Sequence, residues 1–358
     1  MLSSRNKTIA TLLYYKMLDP STDFLPKRFL IELADFRQDL NEQLDNLSFD
    51  PSLVLCLLTK RLKSKCIMNS QDSSDTSSKS PHKRPRRSQQ QQQQEQINAF
   101  SSLSVLRKML PNAATTNLFV FTSGVIGTDF KRTRLLEIEA LNKREFGISA
   151  LCLPKSDKYR VGVTRLVTDK HFNSIQSEQD LNDYLGVKES EKLKFVFMLV
   201  NKTCKLKLEK LFDTINQMRR SREDKRASFG VSGGYVDSGL CGDESIEYNL
   251  IMLSFVVSNE TSDAIRVAQV VLPFVDKQQS ELVVNRKLKL LKESVDSFES
   301  DQTTTKLAFQ VCCVGRGREF YERENYESEL FKSYFPNVPV IGFYGYGEIG
   351  MDHLPGTI

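Results

Sequence analysis

The chain has 358 residues, 40% hydrophobic and 27% charged, with seven cysteines and a formal net charge of +5. That is room for one large or two medium domains, each with its own core. The longest apolar runs, Leu193–Val200 and Leu250–Val257, span eight residues, far short of the roughly 20 of a membrane helix, and no membrane partner is expected.

No apolar segment with a small-residue cleavage site opens the chain, so no secretory signal is read. The cysteines lack regular spacing and any CxxC, which fits a reducing compartment rather than a disulfide scaffold. The positive charge is local. Lys60 to Arg87 carries nine basic and two acidic residues, a net of +7, which leaves about −2 for the rest. A nucleic-acid partner is not expected, because no basic stripe with interleaved aromatics lies on a folded segment.

Residues 1–68 read as a helical segment. Phe29, Leu33, Phe36, Leu40, Leu44 and Leu47 form one helical stripe, and Pro26 suits a first turn. Leu53–Leu58 is too short to assign as helix or strand. Residues 69–98 are Ser- and Gln-rich, include the run Gln89–Gln94, and hold too little apolar surface to offset ordering, so a disordered linker is expected. Within it, Lys83, Arg84, Arg86 and Arg87 read either as a nuclear-import signal or as a solvated basic linker. The first reading places the protein in nucleus and cytoplasm. Phosphate on the flanking Ser80 or Ser88 would weaken the positive field.

From about Leu103 the chain reads as globular. Strand-like runs are Leu118–Phe121, Ile148–Leu153, Leu193–Val200, Leu250–Val257, Ile265–Leu272, Leu307–Val314 and Val338–Phe343. Helical faces are Leu208, Leu211, Phe212, Ile215 and Met218, then Val284, Leu288, Leu291, Val295 and Phe298, then Leu330, Phe331, Tyr334 and Phe335. Strands alternating with helices predict an α/β fold. The short link between 250–257 and 265–272 predicts an antiparallel hairpin, and so a mixed sheet. Gly230–Gly234 reads as a turn.

Little catalytic chemistry is legible. His82, His171 and His353 lie in no nucleophile motif, and no Cys or His pair has zinc spacing, so no metal or other cofactor is expected. Cys312 and Cys313 adjoin on a strand and point to opposite faces. Cys313 beside Arg316 is either a thiol of lowered pKa or a buried structural one. Gly345, Gly347 and Gly350 spell GxGxxG, but only eight residues follow, so a dinucleotide unit has no room. Gly315-Arg316-Gly317 and Gly345 to Glu348 mark two strand ends that would meet in one crevice. Arg316 and Glu348 would then be a buried pair or hold the carboxylate and amine of a small ligand, with Cys313, Gly315, Gly317, Gly345 and Gly347 around them.

The segment Phe309 to Gly317, followed by Phe335 to Gly350, resembles the C-terminal FIST module of the FIST-domain family of F-box proteins. Thr122–Val125, Phe146–Leu151, the strand near 194–200 with Cys204, and Gly233–Asp237 extend the likeness over roughly residues 100–352. The resemblance implies a FIST N-terminal-like region at 99–240 and a FIST C-terminal domain at 241–358. It also implies a non-catalytic substrate receptor of an SCF-type ubiquitin ligase. Its partners would be the Skp1-cullin scaffold and the substrate proteins that it presents for degradation. The same module in bacterial sensors implies the alternative of an amino-acid-like ligand sensor or scaffold without ligase partners. An F-box opens on Leu-Pro and closes on Val-Cys and Trp. Here Leu25-Pro26 is present but Trp is absent, so residues 29–58 align more naturally with the segment after an F-box.

Overall fold

The computed structural model describes residues 10–17, 51–60, 116–128, 135–139, 145–166, 175, 177–204, 211–213, 215, 229–241, 247–261, 264–273, 275–298 and 306–355. These form a mixed α/β fold of three sheets. The first has the order β1 (Ala10–Met17), β6 (Glu145–Pro154), β2 (Pro51–Thr59), β3 (Thr116–Thr122), β10 (Ser238–Cys241). The second runs β14 (Glu348–Gly350), β9 (Gly230–Val236), β8 (Glu191–Asn201), β11 (Leu250–Ser258), β7 (Tyr159–Leu166). The third is β12 (Ala308–Cys313), β13 (Val340–Gly345), β4 (Gly124–Thr128), β5 (Leu135–Glu139).

The first two sheets share one pairing scheme. In each, an edge strand runs antiparallel to a second, the second antiparallel to a central strand, and the central strand parallel to a fourth. A short antiparallel fifth strand completes each. Thus β2 and β8 occupy equivalent places, as do β3 and β9. One core joins all three sheets, with Leu55, Leu57 and Val120 from the first, Phe197 and Leu253 from the second, and Ile341 and Phe343 from the third. Phe197, Phe309 and Phe343 touch ring to ring there.

Helices cover the outer faces. Helix α1 (Glu178–Leu185) starts on a Ser177–Asp180 capping box, ends on left-handed Gly186, and buries Leu181 and Leu185 beneath the second sheet. Helix α2 (Lys277–Asp296) starts at the Asp276 cap and buries Val284 and Leu288 of the expected stripe. The parallel pair β12–β13 needs a crossover, which α3 (Arg318–Tyr321) and α4 (Tyr326–Tyr334) supply. No helix of the described residues is long and apolar enough to cross a membrane.

Several expectations change. Where residues 1–68 are described, they are strands: β1 and β2 belong to the first sheet. Leu53–Leu58 is buried throughout because β2 lies between two strands, and a strand covered on both faces has no polar alternation. The stripe at 29–47 and the linker at 69–98 lie outside the described residues. Ile265–Leu272 forms no hairpin with 250–257, because β7 and β8 already occupy both edges of β11. Its one ladder contact is a bridge from Gln269 to His353. Gly230–Gly234 is strand β9 rather than a turn. Of the 208–218 helix, Leu211 and Ile215 are described and buried.

The chain passes between sheets at three tight corners. Ser123 joins β3 to β4, Asp237 joins β9 to β10, and Tyr346-Gly347 joins β13 to β14. Backbone bonds stitch the corners together: Ser123 N to Tyr344 O (3.1 Å), Asp237 N to Phe121 O (2.8 Å), and Tyr346 N to Tyr235 O (3.0 Å).

Candidate functional site at the ends of β12 and β13

The parallel register sets Cys313 opposite Gly345, so the two expected strand ends do meet. Cys312 and Cys313 face opposite ways. The buried Cys312 thiol donates to Glu327 Oε2 at 3.2 Å, whereas Cys313 faces Glu348. Burial pushes the Cys313 thiol up and the Glu348 carboxylate adds to this, outweighing the Gly315 backbone and Arg316. Cys313 is therefore no activated thiolate.

Arg316 and Glu348 are not brought together. A single turn of 3-10 helix, Val314–Arg316, swings Arg316 inward until it is 5% exposed. Its Nε donates to Glu327 Oε1 at 2.8 Å, Nη1 to Pro273 O at 3.2 Å, and Nη2 to Tyr321 Oη at 2.7 Å and Ser280 Oγ at 3.1 Å. Tyr321 Oη donates to Glu327 Oε1 at 2.6 Å. These contacts tie the β12 end, α2, α3 and α4 together. A guanidinium so engaged has little left for a ligand. Burial works against the Arg316 charge, but Glu327 more than restores it and raises its pKa.

The glycines differ in what they do. A Cβ on Gly317 would sit 2.2 Å from Glu139 Oε2, which belongs to a carboxylate that accepts the Arg318 N–H at 2.6 Å. A Cβ on Gly345 would lie 2.9 Å from Tyr235 O, and Gly347 adopts φ +155°. Gly315 is open: its nearest neighbour would be 3.8 Å away. Lys83, Arg84, Arg86 and Arg87 lie outside the described residues. Among the described residues no group of His, Cys, Asp or Glu is arranged to hold a metal ion.

Sequence reasoning missed Glu327, Tyr321 and Ser280. The available signal was chemical: a buried arginine requires a carboxylate, and Glu327 lies one crossover away. It also missed Glu137 on β5, which accepts Tyr344 Oη at 2.6 Å and Ser328 N at 2.9 Å. Burial raises the pKa of Glu137; the Ser328 and Tyr344 hydrogen bonds oppose this, and Glu327 adds to it. A carboxyl whose folded pKa lies above its unfolded value stabilises the fold fully below the unfolded value. That stability is lost as pH rises through the folded pKa. Glu137→Gln cannot ionise. In urea unfolding, the variant's stability relative to the wild type is expected to rise between about pH 4 and about pH 8. A constant difference would overturn this assignment.

Residues 253–351 match the FIST C domain family model. The chain is also similar to F-box only protein 22 of Pongo abelii and of Homo sapiens, at 45% identity over 49 residues in each case. The matched segment spans 13% of this chain and 12% of each relative's length. The family model contains the ends of both β12 and β13, whose residues carry the resemblance in the sequence. The chain therefore carries a FIST C domain and belongs with the F-box only protein 22-like family.

Proposed function

We propose that the chain is a substrate-recognition subunit of an SCF-type ubiquitin ligase. It binds target proteins through its FIST region and presents them for ubiquitination and proteasomal degradation. It performs no chemistry of its own: the rate gain comes from holding a target near the charged conjugating enzyme. The observation that carries this reading is the match to F-box only protein 22 in a chain that also has a FIST C domain. The spent donors of Arg316 and the raised thiol of Cys313 agree with a receptor rather than a catalyst.

The test is co-purification of the full-length chain with the Skp1 adaptor and its cullin. Recovery of Skp1 with the chain through size exclusion is the expected result, and failure to recover it overturns the ligase reading. The basic cluster is proposed to direct the protein to the nucleus, from which it also returns to the cytoplasm. Deleting Lys83–Arg87 should move a fluorescent fusion out of the nucleus, and an unchanged distribution would return the cluster to a solvated linker.

A further inference from the structure

The three sheet corners carry side chains that the FIST C strand ends do not use. Tyr346 is 39% exposed and lies between two lysines. Lys60 Nζ donates to its phenolic oxygen at 2.9 Å, and Lys202 Nζ lies 4.2 Å from its ring centroid. Lys202 also pairs with Asp237 Oδ1, which lies 3.4 Å from Tyr346 Oη. Burial works against ionisation of Tyr346, but hydrogen bonding led by Lys60 outweighs it and holds the phenol below the usual tyrosine range.

The repeated pairing scheme accounts for this gathering. Lys60 directly follows β2 and Lys202 directly follows its equivalent β8; Ser123 follows β3 and Asp237 follows its equivalent β9. Two parallel pairs thus deliver the same set twice, a cation and a short polar side chain, to one place at their carboxyl ends. Crevices at such ends, where the chain's course changes, are where open α/β sheets bind ligands.

Two buried atoms there are unspent. Asp237 Oδ2 has no hydrogen-bond partner. Ser123, 1% exposed, lies close enough to Tyr346 to favour its phenolate, yet its hydroxyl closes no hydrogen bond. Buried polar atoms are costly to leave unpaired, and such exceptions call for a partner. Asp237 can only accept, so the partner must donate; the two ammonium groups require an anion.

Charge decides between donors. Lys60, Lys202 and Asp237 sum to one positive charge, which a monoanion neutralises. A zwitterion would leave that charge standing and add a third cation beside two lysines. We propose that the three corners bind a small 2-hydroxycarboxylate, its carboxylate on Lys60 and Lys202 and its hydroxyl donating to Asp237. The site is separate from Arg316 and does not depend on ligase assembly.

Calorimetric titration of the full chain with glycolate, acetate and glycine tests this. Glycolate should bind with millimolar or tighter affinity, and acetate, which lacks the hydroxyl, about tenfold more weakly. Lys202→Met and the more exposed Lys60→Met should each weaken glycolate binding by about tenfold. No glycolate binding, acetate or glycine binding as tightly as glycolate, or unchanged affinity in both lysine variants would each overturn the proposal.

Discussion

Arg316→Met is expected to destabilise the protein by about 3–5 kcal/mol, because it leaves a buried carboxylate without its cation. Arg316 and Glu327 are 5% and 7% exposed in their side chains, with 2.7 Å between Nη2 and Oε1. Methionine preserves much of the volume, so the loss reports the charge and its hydrogen bonds rather than a large cavity. Glu327 would keep only the Tyr321 hydroxyl and the Cys312 thiol as donors. Burial and the adjacent Glu327 both raise the Tyr321 pKa, so its hydroxyl stays protonated and donating. Adding Glu327→Gln removes the stranded charge, so the double variant should lose less than the two single losses combined. Urea unfolding of the four proteins measures both quantities. A loss below about 1 kcal/mol for Arg316→Met would place the pair among ordinary surface ion pairs and sink the argument.

The legibility of this pair in the sequence was partial. Arg316 stood out because it lies between two glycines at a strand end, and the structure does bury it. Its partner was misread as Glu348 because strand ends were assumed to project their side chains forward. The turn at Val314–Arg316 instead rotates the arginine towards α2, α3 and α4. A local pattern does not encode that rotation. The crossover helix carrying Glu327 has to pack first.

The same division runs through the fold. Leu250–Val257 and Leu193–Val200 were legible as strands because central strands covered on both faces read as nearly continuous apolar runs. The stripe of α2 was legible because one face is buried and the other solvated. Strand β7, Tyr159–Leu166, was not legible: its side chains are mostly half-buried and it includes two arginines. Strand β9 was misread as a turn because glycine is a poor strand former by propensity. What its glycines record is the approach of other backbones. The three corners were invisible for a related reason, since Ser123, Asp237 and Tyr346 acquire a common setting only when the chain changes sheet.

Gly233→Ala is expected to cost about 4 kcal/mol, from backbone strain and steric overlap of about 2 kcal/mol each. Gly233 adopts φ +148°, and a Cβ there would lie 1.9 Å from the Met198 carbonyl oxygen. The obstacle is backbone, so no side-chain rotation relieves it. Gly233 faces Met198 on parallel β8 and Ile349 on antiparallel β14, so β9 cannot retreat from one neighbour without crowding the other. The only relief is to part β8 from β9, which would also move Lys202 and Asp237 at their ends. Gly315→Ala is the matched control within the same domain, because its nearest contact would be 3.8 Å away. It should change stability by no more than about 0.5 kcal/mol. Soluble yield and the urea midpoint compare the two variants. Similar midpoints would mean that β9 tolerates a side chain at Gly233, and that close packing of β8 on β9 does not hold the corners in place.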